Sequence, residues 1–363
     1  MNRDALIDAL KLCRGALEGA AVRRVFSHYC FGMTDVYSYN DVVAVVVPFN
    51  SGIHAALRGD VLLGVLGTLG KEFQLEHIDD TVIISSNRSK TTLAALSSEE
   101  FMFQLPSEKW KVAIDVNDEL FTGMTQCAQT VGDDSQHREF TCVTFVAQND
   151  KLTIYSTDDM RLSCFKAPVT YQCKTNGLGW MLPSRSCQLF ADLWRMVQDA
   201  ENPEAESKSK LYISDTWAWL QTSKVTMYSH LEFGTPPNLQ ETIVALTPKK
   251  AKWLDIPEGL VAAVARANVL TANDVSASMR IAVHADQLDV ELDESPLGYG
   301  TFQEQLTLSA PVETLELELG IVTLNQTIAE IEQVLFTPRC LGLRKGNFTC
   351  FVSPSNYGPV EEE

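Results

Sequence analysis

The sequence predicts an α+β fold built from three repeated domains, each with two helices and several strands. Six amphipathic helix patterns alternate with segments rich in Val, Ile, Tyr, Phe and Thr, residues that favour strands. The second helix pattern of each block starts near residues 61, 187 and 324, which gives a repeat of roughly 120–140 residues. A chain of 363 residues also exceeds what one hydrophobic core usually organises.

Each predicted domain opens with one helix pattern and carries the second further along. In the first pattern, apolar residues recur every three or four positions from Leu6 to Leu17, as on one face of a helix. The predicted helices are Ala5–Leu17, Val61–Leu69, Leu120–Val131, Cys187–Val197, Leu260–Leu270 and Leu324–Leu335. The predicted strands include Thr81–Ser85, Cys142–Ala147, Lys151–Ser156 and Lys224–His230. Three unrelated α+β segments would give a similar order, and the pattern alone leaves that alternative open.

The predicted domains span residues 1–106, 107–248 and 249–363. Each boundary falls in a segment with a proline and several charges, Gln104–Lys109 and Leu246–Lys252, as is common in linkers. The polar run Glu201–Lys210 is predicted to be a loop inside the second domain. We expect the acidic end of the chain, Ser355–Glu363, to be a mobile tail.

The charge of the chain limits the ways in which it can bind nucleic acid. The formal net charge is −18, from 29 basic and 47 acidic residues. Tight binding to DNA phosphates needs Lys and Arg, so the overall charge argues against a protein that grips DNA by attraction. The longest apolar runs, such as Val42–Phe49, are too short to span a membrane, and no signal peptide is visible. We therefore expect a soluble, cytoplasmic protein with no membrane partner.

No pattern of catalytic, cofactor-binding or metal-binding residues stands out. The nine cysteines are scattered without CxxC spacing, which favours reduced, buried thiols, and the six histidines are dispersed. The sequence has no GxSxG, HExxH or Walker loop. The acid pairs Asp133-Asp134 and Asp158-Asp159 fit solvated turns better than a hydrolase site, and Trp217 and Trp219 fit packing positions on a strand. We expect no enzyme activity, no cofactor and no metal.

Five segments, in order along the chain, carry a resemblance to a known family. They are Arg88–Leu96 (RSKTTLAAL), Leu152–Leu162 (LTIYSTDDMRL), Met181–Val197 (MLPSRSCQLFADLWRMV), His230–Leu239 (HLEFGTPPNL) and Ala265–Asp274 (ARANVLTAND). Together they resemble the bacterial DNA sliding clamp, the beta subunit of DNA polymerase III. No single segment is decisive, because short strings such as TDxxRL occur by chance. The ordered set, on a length that suits three clamp domains, is what carries the resemblance.

The resemblance implies an architecture and a function. Each domain would place two helices inside and antiparallel sheets outside, and two chains would join head to tail in a ring around double-stranded DNA. Enclosure would hold the DNA without strong attraction, so an acidic protein could slide along any sequence. The implied partners are DNA polymerase, a clamp loader and a second copy of the chain. A β-rich structural or assembly protein of a virus is the alternative, and the divergence from common bacterial sequences suggests a phage-encoded clamp.

The resemblance also implies a pocket for short hydrophobic peptides of partner proteins. The matching residues are Phe140, Thr157, Asp159, Met160, Arg161, Leu162, Pro237, Leu246, Phe351, Val352, Ser353 and Pro354. An apolar floor with polar edges suits the capture of linear motifs. Alternatively, Leu162, Leu246 and Val352 are ordinary core residues. Asp159 and Met160 stand where the family usually has Gly-His, Ser353 stands where Met is common, and the tail follows, so peptide preference should differ and the tail could cover the pocket.

Two further sets of residues follow from the resemblance. At the seam between two chains, Val269 and Leu270 would pack against Leu93, and Arg88 and Lys90 would pair with acids such as Glu304. Thr91 stands where the family has an aromatic residue, and a solvated charged strand is the alternative. Basic residues on or beside inward helices would contact DNA phosphates, although isolated surface arginines would look the same: Arg14, Arg23, Arg24, Arg58, Lys71, Arg185, Arg195 and Arg266.

Overall fold

The computed structural model describes the chain except for residues 20–22, 98–99, 101–102, 134–136, 176, 199–208, 249–251, 294, 297 and 356–363. The predicted loop Glu201–Lys210 and the predicted tail Ser355–Glu363 lie almost wholly outside the described residues. The described chain divides into two compact units. Unit 1 comprises Met1–Thr122, Ala147–Asp150 and Pro168–Phe233, and unit 2 comprises Gly123–Val146, Lys151–Ala167 and Gly234–Glu363. The division into three domains stays a prediction.

Helices and strands alternate along the whole chain. The helices are α1 (Arg3–Cys13), α2 (Gly59–Thr68), α3 (Asp118–Ala128), α4 (Ser184–Gln198), α5 (Leu239–Leu246), α6 (Leu260–Leu270) and α7 (Ile321–Ile328). The strands are β1 (His28–Phe31), β2 (Asp35–Tyr39), β3 (Val43–Pro48), β4 (Ala55–Arg58), β5 (Gln74–Ile78), β6 (Thr81–Ser86), β7 (Ser89–Leu96), β8 (Val112–Asp115), β9 (Cys142–Gln148), β10 (Lys151–Thr157), β11 (Arg161–Ala167), β12 (Tyr171–Cys173), β13 (Leu178–Pro183), β14 (Lys210–Ile213), β15 (Trp217–Gln221), β16 (Thr226–His230), β17 (Leu254–Asp255), β18 (Ser278–Leu292), β19 (Phe302–Gly320), β20 (Gln333–Thr337), β21 (Cys340–Lys345) and β22 (Phe348–Val352).

The first helix shows how the sequence sets the local structure. The side chain of Asn2 caps α1 by accepting hydrogen bonds from the N–H groups of Asp4 and Ala5. Asp4 lies in the first turn and Lys11 in the last, where each charge opposes the helix dipole. The apolar face is buried, so helix propensity and packing agree on this segment.

Unit 1 contains one antiparallel sheet of twelve strands, in the order β12-β8-β14-β15-β16-β3-β2-β1-β4-β7-β6-β5. Strands β16 and β3 are neighbours, with Met227 opposite Val45. This pairing joins β16, the last strand before the predicted boundary near residue 248, to the strands of the predicted first domain. Trp217 and Trp219 alternate on β15 and pack against other aromatic rings, as predicted: the Trp219 ring lies 5.3 Å from Tyr212.

Unit 2 contains an antiparallel sheet in which β9, β10, β11, β22, β21, β20 and β17 follow one another. A second sheet is the long hairpin β18–β19, whose register shifts around Ala285. Ala285 has a φ of 58°, in the left-handed region, so the shift marks a corner in the hairpin. Helices α6 and α7 contact each other and this hairpin, and their buried apolar residues form the core there.

Every helix that the sequence predicts is present, but the last prediction is wrong in its second half. Helix α7 ends at Ile328, and Gln333–Thr337 is strand β20. The run Val334-Leu335-Phe336 is buried on both faces between β17 and β21, which is typical of a central strand. A short apolar run of this kind cannot be distinguished from a buried helix by periodicity alone. Helix α5, which the sequence does not predict, ends at Leu246, where the linker was expected to begin.

All nine cysteines are free thiols, and eight are buried, as the scattered pattern predicts. Burial raises the pKa of the Cys350 thiol to about 12, so this thiol stays protonated at neutral pH. Among the described residues, no group of three or more His, Cys, Asp or Glu side chains is placed to hold a metal ion. Likewise, no described helix is long and apolar enough to cross a membrane.

Candidate functional site

The turn between β10 and β11 forms the centre of the predicted peptide pocket. The Asp158 carboxylate accepts hydrogen bonds from the N–H groups of Met160 (3.1 Å) and Arg161 (2.6 Å). The Thr157 hydroxyl donates to the Arg161 carbonyl at 2.7 Å. Asp159 has a φ of 69°, a conformation that Gly adopts freely and Asp tolerates better than most residues. Asp159, at a position where the resembled family usually has Gly, thus adopts a backbone conformation that favours Gly.

Arg161 is fixed inside this turn and does not extend into solvent. Its side chain is 9% exposed and makes an ion pair with Asp158, with N–O distances of 2.7 and 2.8 Å. A third hydrogen bond runs from Nη1 to the side-chain oxygen of Gln326 on α7, at 3.2 Å. The guanidinium thus holds the turn and α7 at fixed positions, and it contributes a rigid polar edge.

The last strand of the described chain lies beside the turn. Strand β22 pairs with β11, with Val352 opposite Arg161 and Phe351 opposite Leu162. The Ser353 N–H donates to the Met160 carbonyl at 2.8 Å. Leu162, Phe351 and Val352 are buried, whereas Met160 is 37% exposed, and Ser353 and Pro354 are half-buried. The structure therefore brings the predicted turn and the predicted C-terminal residues together. The burial of Leu162 and Val352 also fits the alternative that they are core residues.

Helix α5 adds a second wall that the sequence reasoning captured only through Leu246. Ile243 and Leu246 pack against a buried cluster of Leu335, Cys340 and Phe351. The Trp253 ring packs on the same cluster, 6.4 Å from the Phe351 ring, and the Arg344 guanidinium lies 3.8 Å from the centre of the Trp253 ring. Burial lowers the pKa of Arg344. In the sequence, the helical spacing of apolar residues in α5 and the nearby Trp253 were the features that could have predicted this wall.

The two remaining pocket residues lie at its margins. The Phe140 carbonyl accepts from the Gly132 N–H at 2.8 Å. A Cβ on Gly132 would lie 3.6 Å from Asp158, so this loop passes beside the turn. Pro237 is half-buried just before α5, where its carbonyl accepts from the Leu239 N–H. All twelve predicted pocket residues belong to unit 2. Their role as a binding site stays a prediction.

The predicted DNA-contacting residues are all exposed, but half of them already have an acidic partner. Arg23 pairs with Asp41, Arg58 with Asp60, Arg195 with Asp192, and Arg266 with Glu304. Among the described residues, no acid lies within ion-pair distance of the other four, Arg14, Arg24, Lys71 and Arg185. These four are therefore the most available for phosphates.

The predicted seam residues lie on β7 and in the turn before it, at the end of α6, and on β19. Strand β7 pairs with β6 along its length, but with β4 only at Ala95 and Leu96, so its other edge lacks a ladder partner among described residues near Leu93. Strand β19 pairs only with β18 in the described chain. Leu93 and Leu270 are half-buried, and Arg88 and Lys90 are exposed.

The exposure and the ion pairs of individual residues bear on the predicted seam. Val269 is 75% exposed, and Val275, which the sequence reasoning missed, is 83% exposed just after α6. In the sequence, the only sign that Val275 would be exposed is that it is a single apolar residue within a polar segment. Glu304, predicted to pair across the seam, instead accepts from Arg266 within unit 2. A partner chain's cations would have to compete with this pair.

Comparisons with known proteins identify the fold. No protein-family model and no curated protein matches the sequence. Solved structures match over nearly the whole chain. The DNA polymerase sliding clamp of Bacillus subtilis has a TM-score of 0.82 at 14% identity, over 99% of this chain and 98% of that chain. This chain has the sliding-clamp fold.

Other clamps give the same result. The beta subunit of DNA polymerase from Streptococcus pyogenes has a TM-score of 0.79 at 16% identity, covering 98% of this chain and 99% of that chain. The sliding clamp of Pseudomonas aeruginosa, solved with a ligand, has a TM-score of 0.81 at 14% identity, with the same coverage. The resemblance found in five short segments is thus confirmed at the level of the fold, and the predicted α+β class is confirmed with it.

Proposed function

We propose that this chain is a DNA sliding clamp, a non-catalytic processivity factor that encircles double-stranded DNA and tethers DNA polymerase. The observation that carries the proposal is the match of the whole chain to whole clamps: 98–99% of both partners is covered. A fold alone hosts many functions, so the proposal also needs support from sites. Three sets of residues provide it.

The first set supports a head-to-tail homodimer. Strand edges that lack partners among the described residues, on β7 and β19, are suited to pair with another chain. The exposed Val269 at the end of α6 offers an apolar contact that a monomer leaves in water. Two different edges, one near each end of the chain, fit a heterologous contact that closes into a ring.

The second set supports contact with DNA that is weak and independent of sequence. Arg14, Arg24, Lys71 and Arg185 have no acid partner among the described residues, and arginine and lysine bind phosphates without reading bases. The net charge of −18 opposes tight attraction. Retention on DNA would therefore depend on enclosure.

The third set supports docking of partner peptides from a polymerase and a clamp loader. The exposed Met160, which lies over the buried apolar residues Leu162, Phe351 and Val352, offers apolar contact to a peptide. A buried, fixed Arg161 adds a polar edge that needs no ordering on binding. No membrane partner is proposed, and a phage origin remains a hypothesis.

The test is processive synthesis on primed circular DNA with the matched polymerase and loader. We expect longer products with the wild-type chain. A Met160→Asp variant should reduce the stimulation, because it places a charge at the apolar pocket. The control variant Met33→Asp, which alters a methionine of unit 1 that is 58% exposed against 37% for Met160, should retain it. Absence of stimulation by the wild-type chain, together with particle images that show no central opening, would contradict the proposal.

A further inference from the structure

Unit 1 contains an apolar cavity that shares only Arg14 with the proposed clamp contacts. It lies between helices α1 and α4, over strands β3 and β16, and has a volume of about 220 Å³. Its walls are aliphatic and thioether side chains: Leu12, Val45, Leu189, Leu193, Met196 and Met227. Met196 is 41% exposed at the rim. The cavity is thus open to solvent on one side and apolar within.

The charges at its rim are unevenly matched. Lys11 pairs with Asp8 at 3.1 Å, and Asp192 pairs with Arg195 at 2.6 Å. Arg14, which also lines the cavity, has no acid within ion-pair distance among the described residues. The rim therefore presents one uncompensated guanidinium beside an apolar interior, in a chain whose net charge is −18.

We propose that this cavity binds a small organic acid with an unbranched or slender apolar body, whose carboxylate pairs with Arg14. Arginine binds carboxylates through two parallel hydrogen bonds, which gives the anionic end its specificity. The apolar body would displace little ordered water, because cavities lined by aliphatic side chains bind water poorly and apolar ligands well.

The size of the cavity sets the size of the ligand. Its 220 Å³ is below the roughly 300–1,000 Å³ of pockets that bury drug-sized molecules. A medium-chain carboxylic acid fits this scale better than a nucleotide or a peptide. Met196 and Met227 have flexible side chains and can adapt to the ligand's shape.

Octanoate is the probe, with octylammonium and octanol as matched compounds of the same chain length. Calorimetric titration of the full chain should show saturable one-to-one binding of octanoate, weaker binding of octanol and none of octylammonium. With methyl-labelled methionines, the Met196 and Met227 signals should shift on titration, whereas that of Met33, which is 58% exposed elsewhere in unit 1, should not.

Variants separate this site from non-specific adsorption. Arg14→Gln should weaken octanoate binding about tenfold or more, because it removes a charged hydrogen-bond donor. Met196→Trp should block the rim, and Arg339→Gln, an exposed arginine in unit 2, should leave binding unchanged. Equal melting temperatures establish that each variant is folded. Absence of saturable binding to the wild-type chain overturns the proposal, as does equal affinity in Arg14→Gln or a shift confined to other methionines.

Discussion

The ring of Phe103 lies 5.0 Å from the ring of Tyr39. Phe103 stands just before the predicted linker between the first two domains, and it also contacts Trp217 at 6.2 Å and Tyr228 at 6.0 Å. A single side chain therefore joins strands β2, β15 and β16 across one face of the sheet. The segment that follows is anchored at its start and is not a free tether.

Replacing Phe103 by Ala should lower the free energy of unfolding by about 1–3 kcal/mol, because it removes several aromatic contacts from a half-buried site. Leu105→Ala is the matched control, since Leu105 is 59% exposed two residues further on. Its effect should stay within about 0.5 kcal/mol. Urea unfolding of both variants makes the comparison, and equal effects would mean that Phe103 does not anchor the segment.

The acid pair Asp158-Asp159 should respond in opposite ways to substitution. Asp158→Ala leaves the buried Arg161 without its carboxylate and removes two turn hydrogen bonds, so it should cost about 3–5 kcal/mol. Asp159→Gly should be neutral or stabilising, because the φ of 69° is easier for Gly. Chemical unfolding of the two variants measures both. A similar loss in the two would show that the turn is not held by Asp158.

The sequence predicts the local elements well because each carries its own periodicity. Helix α6, for example, matches the prediction at both ends. The failure at Gln333–Thr337 arose because a run buried on both sides has no alternating pattern to mark it as a strand. A strand can be recognised from alternating polar and apolar residues only if one of its faces is exposed, and a strand buried on both faces has no such alternation.

The candidate site was only partly readable from sequence. The resemblance placed Leu162 and Phe351 in the same pocket although they lie far apart in the chain, and β11–β22 pairing brings them opposite each other. Gln326 and Trp253 were missed, since their roles arise from contacts between elements distant in sequence. The pairing of Arg266 with Glu304 was missed for the same reason, because two residues assigned to different functions turn out to be neighbours.

Stability should fall as the pH drops below about 6.5, the ordinary pKa of His. Burial lowers the pKa of His28 and of His230 in the folded chain, against an opposing hydrogen bond from each ring to a backbone carbonyl. The unfolded chain then binds more protons than the folded chain below its own His pKa, so acid favours unfolding in that window and stability is fully present above it. The lowered pKa values of Asp115 and Glu108 act at lower pH.

The measurement is the urea midpoint at pH 7.5, 6.5 and 5.5. The wild-type midpoint should decrease over this series, and a His28→Gln/His230→Gln double variant should show a flatter dependence. His77→Gln, in which an exposed histidine of β5 is replaced, is the control and should follow the wild type. A double variant with the same slope as the wild type would assign the pH dependence to other groups.

The proposed seam predicts a dimer that depends on Val269. Val269→Asp should shift the chain from dimer to monomer at micromolar concentration, because it places an unpaired charge in an apolar contact. Val244→Asp alters a residue that is 69% exposed on α5, a helix that carries none of the predicted seam residues, and should leave the dimer intact. Mass by light scattering reports both. If the wild-type chain is a monomer at that concentration, the proposed seam is wrong.

The arginines with and without acid partners should differ in their effect on DNA binding. Each phosphate contact contributes about one unit to the slope of log affinity against log salt. Arg24→Gln should therefore flatten the slope by about one unit on linear duplex DNA. Arg58→Gln should change it less, since Arg58 already makes a two-pronged pair with Asp60 at 2.8 and 3.1 Å. Fluorescence anisotropy over a salt series measures both slopes.

Because the chain is acidic, binding to linear DNA should be weak for all forms, whereas protein loaded onto circular DNA should be retained until the circle is cut. Tight binding of linear DNA at physiological salt without a loader would mean that attraction, and not enclosure, holds the protein on DNA.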